Sequence, residues 1–149
     1  MSKVLFLDID GVVNCQTTSQ RHRGYIGIDP MMAFLVGKIV LNVPDLKVVL
    51  SSSWREFHAD GIEEISKQVT PIHDKTPRGW YDKEKEHHST RGEEIQAWLD
   101  QHPEVTQYAI LDDDTNMLDS QLPNFFKTYW LLGITPEISD AVIKHFNGN

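Results

Sequence analysis

Apolar and polar positions along this chain fall into blocks. The first block, Lys3-Val4-Leu5-Phe6-Leu7-Asp8-Ile9-Asp10-Gly11-Val12, is continuously apolar up to Asp8, which predicts a strand buried on both faces. After a polar stretch from Gln16 to Arg23, Gly24-Tyr25-Ile26-Gly27-Ile28 predicts one arm of a small hairpin or flap. Asp29-Pro30 then supplies an N-cap and a first-turn proline. Apolar residues recur at helical spacing from Met31 to Val43, including Phe34, Leu35, Ile39 and Val40, until Pro44 stops the helix. Leu46-Lys47-Val48-Val49-Leu50 predicts a second strand, which runs into Ser51-Ser52-Ser53-Trp54-Arg55.

A helix over about residues 60–67, with Ile62 and Ile65 inward, and a weak strand over 68–72 come next. From His73 to Ser89 the pattern is polar, and the length suits a functional loop or lid. Thr90 and Glu93 form a capping box for a helix through Ile95, Trp98 and Leu99. Tyr108 to Leu111 reads as a buried strand ending in Asp112-Asp113-Asp114, and Lys127 to Leu132 as a last strand. Thr135 caps a final helix to about Phe146. Strands that alternate with helices predict an α/β fold: a three-layer, doubly wound (Rossmann-like) parallel sheet of about five strands in one domain over residues 1–149.

Composition changes this picture little. With 22 acidic and 14 basic residues the formal charge is −8, which argues against a broad non-specific nucleic-acid surface but leaves room for a small basic site. A single cysteine, Cys15, excludes an internal disulfide framework and suits a reducing compartment. No apolar run approaches the ~20 residues of a membrane helix, and the N-terminus has no signal-peptide pattern. A cytoplasmic protein without a membrane partner is the expectation.

The chemistry gathers at strand ends. Asp8 and Asp10, one residue apart on an extended backbone, can project to the same side, at the sheet edge where open parallel sheets bind ligands. Like charges held that close call for a cation or a proton, and Mg2+ is the natural oxygen-liganded candidate. Ser51-Ser52-Ser53 and Asp112-Asp113-Asp114 end two more strands, and Arg91 opens a helix, so all these groups can converge.

In this order the groups resemble the haloacid dehalogenase (HAD) superfamily of phosphotransferases. Asp8-Ile9-Asp10-Gly11 matches its first motif, Ser51 the strand-terminal Ser/Thr of the second, and Asp112-Asp113 the acidic pair of the fourth. Arg91 stands where the third motif usually has a lysine; Lys75, Lys83 and Lys85 are alternates. Leu50 to Arg55 and Arg91 to Leu99 are similar to the small HAD domains related to the Swiss-army-knife RNA repair proteins. The resemblance implies a Mg2+-dependent phosphatase with at most a minimal cap. Asp8 is then the nucleophile that forms an aspartyl-phosphate, and Asp10 the general acid and base. Asp8, Asp10 through its backbone carbonyl, and Asp113 assisted by Asp112 hold Mg2+, while Ser51, Ser52 and Arg91 contact phosphate. A small cap implies an open site, which suits a nucleic-acid end or a nucleotide as the phosphorylated substrate.

Plainer readings compete at several positions. Ser52 and Ser53 equally suit capping of the next turn, and Asp114 suits an N-cap or loop role. Asn14 and Arg55 are potential phosphate contacts for which an ordinary loop role has more weight. Trp98 and Trp130 read as core, whereas Trp80 suits a substrate site. His87 and His88 read as exposed loop residues, and Cys15 as a small buried one. Two alternatives stand for the whole: a catalytically silent HAD-fold binding module, and a phosphatase of a small non-nucleotide metabolite.

Overall fold

A computed structural model describes residues 2–57 and 60–148. In chain order, β1 (Ser2–Leu7) leads to a hairpin of β2 (Arg21–His22) and β3 (Tyr25–Ile26), then α1 (Pro30–Asn42) and β4 (Leu46–Leu50). There follow α2 (Trp54–Phe57), α3 (Gly61–Gln68), β5 (Asp74–Lys75) and a second hairpin of β6 (Tyr81–Asp82) and β7 (His87–His88). The chain finishes with α4 (Arg91–Asp100), β8 (Val105–Asp112), a 3-10 helix over Asp119–Asn124, β9 (Phe125–Lys127) and α5 (Pro136–Asn147). The central sheet has five strands in the order β5-β4-β1-β8-β9, and every pairing in it is parallel.

The sheet is buried on both faces because the side chains of β1 alternate between two apolar layers. Leu5 and Leu7, with Val48, Leu50, Ala109 and Leu111, face Leu35, Val36 and Ile39 of α1, Ile65 of α3, and Val142 and Phe146 of α5. Val4 and Phe6, with Val49 and Ile110, face Ile95 and Trp98 of α4. Burial of each such side chain contributes about 1.5–3 kcal/mol. The three-layer α/β architecture expected from the sequence is therefore present, with β1 at its centre.

Helix ends follow the predicted signals. Asp29 caps α1 through Met31 N–H, Thr90 and Glu93 form the capping box of α4, and Thr135 caps α5.

Two strand expectations are corrected. Residues 68–72 form no strand, because Gln68 completes α3 and the amides of Val69 and Thr70 turn back to the Ile65 carbonyl. Pro71 has no amide to give, so pairing with β4 begins only where His73 N–H reaches the Val48 carbonyl at 2.9 Å. The last strand is Phe125–Lys127 rather than 127–132. Its partner β8 ends at Asp112, opposite Lys127, and beyond that Gly133 N–H closes a turn on the Tyr129 carbonyl at 2.7 Å. Trp130 consequently lies 39% exposed in this turn and not in the core. The polar stretch 73–89 is organised as β5 and the β6–β7 hairpin. No helix among the described residues is long and apolar enough to cross a membrane.

Candidate active site

Register brings the strand ends together. Leu7 pairs with Leu50 on one side and Leu111 on the other. Just past that row, Asp8 N–H donates to the Leu111 carbonyl (3.0 Å) and Ser51 N–H to the Leu7 carbonyl (2.8 Å). Asp8, Ser51 and Asp112 thus stand side by side at the carboxyl edge, and each is nearly inaccessible.

One carboxylate oxygen from each of Asp8, Asp112 and Asp113 lies within 4.8 Å of the other two. Burial raises the Asp8 pKa well above the ordinary carboxylate value, and the neighbouring Asp112 charge raises it further against the opposing pull of Arg91. Burial likewise raises Asp112, to about 6, with Arg91 opposing, and raises Asp113. A cluster in this state favours a proton or a cation between its members.

The remaining polar groups point to a ligand as well. Arg91 Nε stands 3.5 Å from Asp112 Oδ2. Among the described residues, Asp112 Oδ2, Arg91 Nη1 and Ser51 Oγ are buried without a hydrogen-bond partner. Such groups are uncommon in folded proteins and call for an explanation. An all-oxygen set of three carboxylates, one with a free buried oxygen, fits a hard divalent cation such as Mg2+. The basic and hydroxyl atoms opposite suit an oxyanion.

The loop after β1 is fixed by residues that hold one another. Gly11 has φ +84°, and a Cβ there would lie 2.2 Å from Asp113 Oδ2, so glycine is required both by the backbone and by the approach of the Asp113 carboxylate. Thr128 Oγ1 donates to the Gly11 carbonyl at 2.6 Å. Asn14, fully buried, accepts Gly11 N–H and donates to Asp10 Oδ1 and to the Gly27 carbonyl, each at 2.9 Å. Trp54 Nε1 donates to the same Asp10 oxygen at 3.3 Å, and His22 of the first hairpin stacks on Trp54. The Asp10 carboxylate is thus held outside the three-carboxylate cluster, which leaves its backbone carbonyl as the atom expected for a cation.

Around the second and third motifs the roles divide. Ser52 is occupied elsewhere: its Oγ accepts Trp54 N–H and its carbonyl accepts the Arg55 guanidinium. It acts as a turn cap, whereas Ser51 Oγ has no hydrogen-bond partner. Arg55 is an interior residue whose guanidinium pairs with Glu94 at 2.9 Å, their side chains only 5% and 10% exposed. Of the candidates for the third motif, Arg91 reaches the cluster. Lys75 ends the edge strand β5, and Lys83 and Lys85 lie exposed in the second hairpin's turn. Arg91 is aimed by its neighbour: Gly92 sits where a Cβ would meet Gln121 Oε1 and Leu118 N at 2.7 Å, and buried Gln121 donates to the Gly92 carbonyl at 2.8 Å.

The structure therefore brings together Asp8, Asp112, Asp113, Ser51 and Arg91, and places Asp10 at the rim. Thr128, Gln121 and Glu94 also support the site, and Asn14 and Arg55 are interior hydrogen-bonding residues rather than the ordinary loop residues expected from the sequence. Polar residues that read as inward-facing on a helix, such as Glu94 beside Ile95, are the signal available for Glu94. Gln121 lies in a segment without periodicity, and Thr128 lies in the run expected to be the last strand. Asp114 accepts Thr115 N–H, as a loop residue does, and Cys15 is buried.

A family model described as the HAD domain in Swiss Army Knife RNA repair proteins matches residues 4–138, from β1 to the first turn of α5. Comparison with curated proteins and with solved structures finds no match.

Proposed function

From the premise that the chain belongs to the family of HAD domains of Swiss Army Knife RNA repair proteins, we propose that it is a Mg2+-dependent phosphomonoester hydrolase acting through an aspartyl-phosphate on Asp8. The observation that carries this reading is the convergence of Asp8, Asp112 and Asp113 within 4.8 Å, beneath Arg91.

Asp8, Asp112, Asp113 and the Asp10 carbonyl would hold Mg2+. The bound ion supplies charge neutralisation and orientation for in-line displacement at phosphorus. Asp8 attacks phosphorus, and the bond to the leaving oxygen breaks as that oxygen takes a proton from Asp10. Both hydrogen bonds to Asp10 fall on Oδ1, so proton transfer belongs to Oδ2. Asp10 then takes a proton from the water that attacks the aspartyl-phosphate, which releases inorganic phosphate and restores Asp8. Ser51 Oγ and Arg91 Nη1, which have no hydrogen-bond partner in the protein, bind the transferring oxygens.

A nucleic-acid end or a nucleotide is the substrate this reading favours. The features beside the carboxyl edge are two hairpins of two-residue strands, which leave room for a large substrate. The test is phosphate release, with and without Mg2+, from an aryl phosphate, from 3′- and 5′-phosphorylated oligonucleotides and from mononucleotides. Turnover that requires Mg2+ and vanishes in Asp8→Asn supports the reading. A wild-type protein inert toward the whole panel overturns it in favour of a silent binding module.

A further inference from the structure

Two cavities flank the buried Arg55–Glu94 ion pair. One, of about 280 Å³, is lined by Arg55, Lys75, Thr76 and Arg78. The other, of about 260 Å³, has Trp80, Tyr81, His88, Ser89 and Glu94 in its wall. The ion pair ties the two together. Arg55 also donates to the Pro77 carbonyl at 3.3 Å. On the other side Glu94 accepts Ser89 Oγ at 3.0 Å, and Ser89 Oγ accepts Trp80 N–H at 2.9 Å. Each wall is thus hydrogen-bonded to one member of the ion pair.

The basic cavity lies close to the reaction centre. Lys75 pairs with Leu50, and Leu50 with Leu7, so Lys75 and Thr76 stand two strands from Asp8, or about 10 Å along the sheet edge. In a chain of net charge −8, this cavity presents the exposed cationic side chains of Lys75 and Arg78 to an oxyanion, while Arg55, neutralised by Glu94, and Thr76, whose hydroxyl donates to the Leu50 carbonyl, form its floor. In the wall of the neighbouring cavity, Trp80 and Tyr81 are 42% and 48% exposed, and Tyr81 packs on His88, so aromatic surface lies on the far side of the ion pair from the cationic side chains.

We infer that the cavity of Arg55, Lys75, Thr76 and Arg78 binds a backbone phosphodiester of a single-stranded nucleic acid whose terminal phosphate lies over Asp8, with a flanking base stacked on Trp80 or Tyr81. This rests on the phosphatase reading above and adds to it a second phosphate subsite and the side of the sheet along which the strand leaves. Alternation of cationic and aromatic side chains is how sequence-tolerant single-strand binding is built.

The inference is tested with Lys75→Gln/Arg78→Gln and Trp80→Ala, whose altered side chains are exposed and leave the core intact. Binding of a fluorescein-labelled, phosphate-ended single-stranded oligonucleotide is measured by anisotropy against salt, in an Asp8→Asn background. The ratio of kcat/KM for that oligonucleotide to kcat/KM for a mononucleotide is measured in the Asp8 enzyme. The double variant should lower both affinity and ratio about tenfold, and should reduce the slope of log K against log salt by about 0.7 for the phosphate no longer neutralised. Trp80→Ala should lower affinity and keep the slope. Variants that bind with the parent affinity and slope overturn the subsite, as does a wild-type enzyme that treats mononucleotide and oligonucleotide alike. If no phosphate ester is hydrolysed yet the double variant loses affinity and slope, the phosphatase reading falls and the subsite stands.

Discussion

Asp112→Asn should make the metal-free protein less sensitive to a pH change that weakens the wild type, with buried Asp8 and Asp113 left to titrate. In the folded chain the Asp112 pKa rises from 3.8 to about 6, chiefly through burial. Each tenfold in proton affinity is 1.36 kcal/mol, so the penalty for ionising this group in place is about 3 kcal/mol. Because the folded pKa is raised, the native state binds more protons than the unfolded chain between these values. Stability therefore falls as pH rises from about 4 to about 6, and the full penalty persists above that. The asparagine removes the charge, and it also relieves Asp8, whose pKa is raised in part by Asp112. The loss of the Arg91 contact, 3.5 Å from Asp112 Oδ2, opposes this and limits any net gain at neutral pH. The assay is urea unfolding of both proteins in chelator across the acid range. The half-buried carboxylates Asp60 and Glu93, whose pKa values are lowered, are common to both and cancel in the difference. The wild type should lose about 3 kcal/mol more than the variant over that range, and excess Mg2+ should restore stability at neutral pH to the wild type alone. Parallel pH profiles, or equal stabilisation of both by Mg2+, would refute the reasoning.

Three further outcomes are expected. Gly11→Ala drives a Cβ into Asp113 Oδ2 at φ +84°. It should cost about 1–2 kcal/mol of stability from backbone strain and a larger share of Mg2+ affinity, read by calorimetry. Asn14→Ala removes two buried hydrogen bonds, to Gly11 and Gly27, and a part-buried one to Asp10. It should destabilise by about 1–3 kcal/mol and slow alkyl phosphates more than aryl phosphates, because Asp10 then protonates the leaving oxygen less well; an equal loss on both would exclude that role. Glu94→Ala strands the Arg55 guanidinium in the interior and should cost about 3–5 kcal/mol in denaturant unfolding.

The layers of the fold were legible because β1, β4 and the centre of β8 are apolar without interruption, and because Asp29, Thr90 and Thr135 carry unambiguous capping chemistry. The failures came where partners and not patterns decide. The apolar run Tyr129 to Leu132 would suit a strand, yet β8 offers no residue beyond Asp112 to pair with it. The two-residue β5 is polar and its place is set by where Pro71 lets pairing begin. At the site, Asp8, Ser51, Arg91, Asp112 and Asp113 were readable because each ends a strand or starts a helix. Asn14, Thr128 and Gln121 were not, since their roles depend on contacts with residues distant in sequence, such as Thr128 with Gly11. Ser51 and Ser52 are indistinguishable by type. Only the hydrogen bond of Ser52 to Trp54 separates them.

The central claim is that phosphate passes through Asp8. Rapid quench of the Asp10→Asn variant, in which slow breakdown should let the intermediate accumulate from an aryl phosphate, followed by peptide mapping, tests it directly. The account predicts Mg2+-dependent phosphoryl label on the peptide that contains Asp8, and no label or turnover in Asp8→Asn. Phosphate release by Asp8→Asn at the wild-type rate would contradict it.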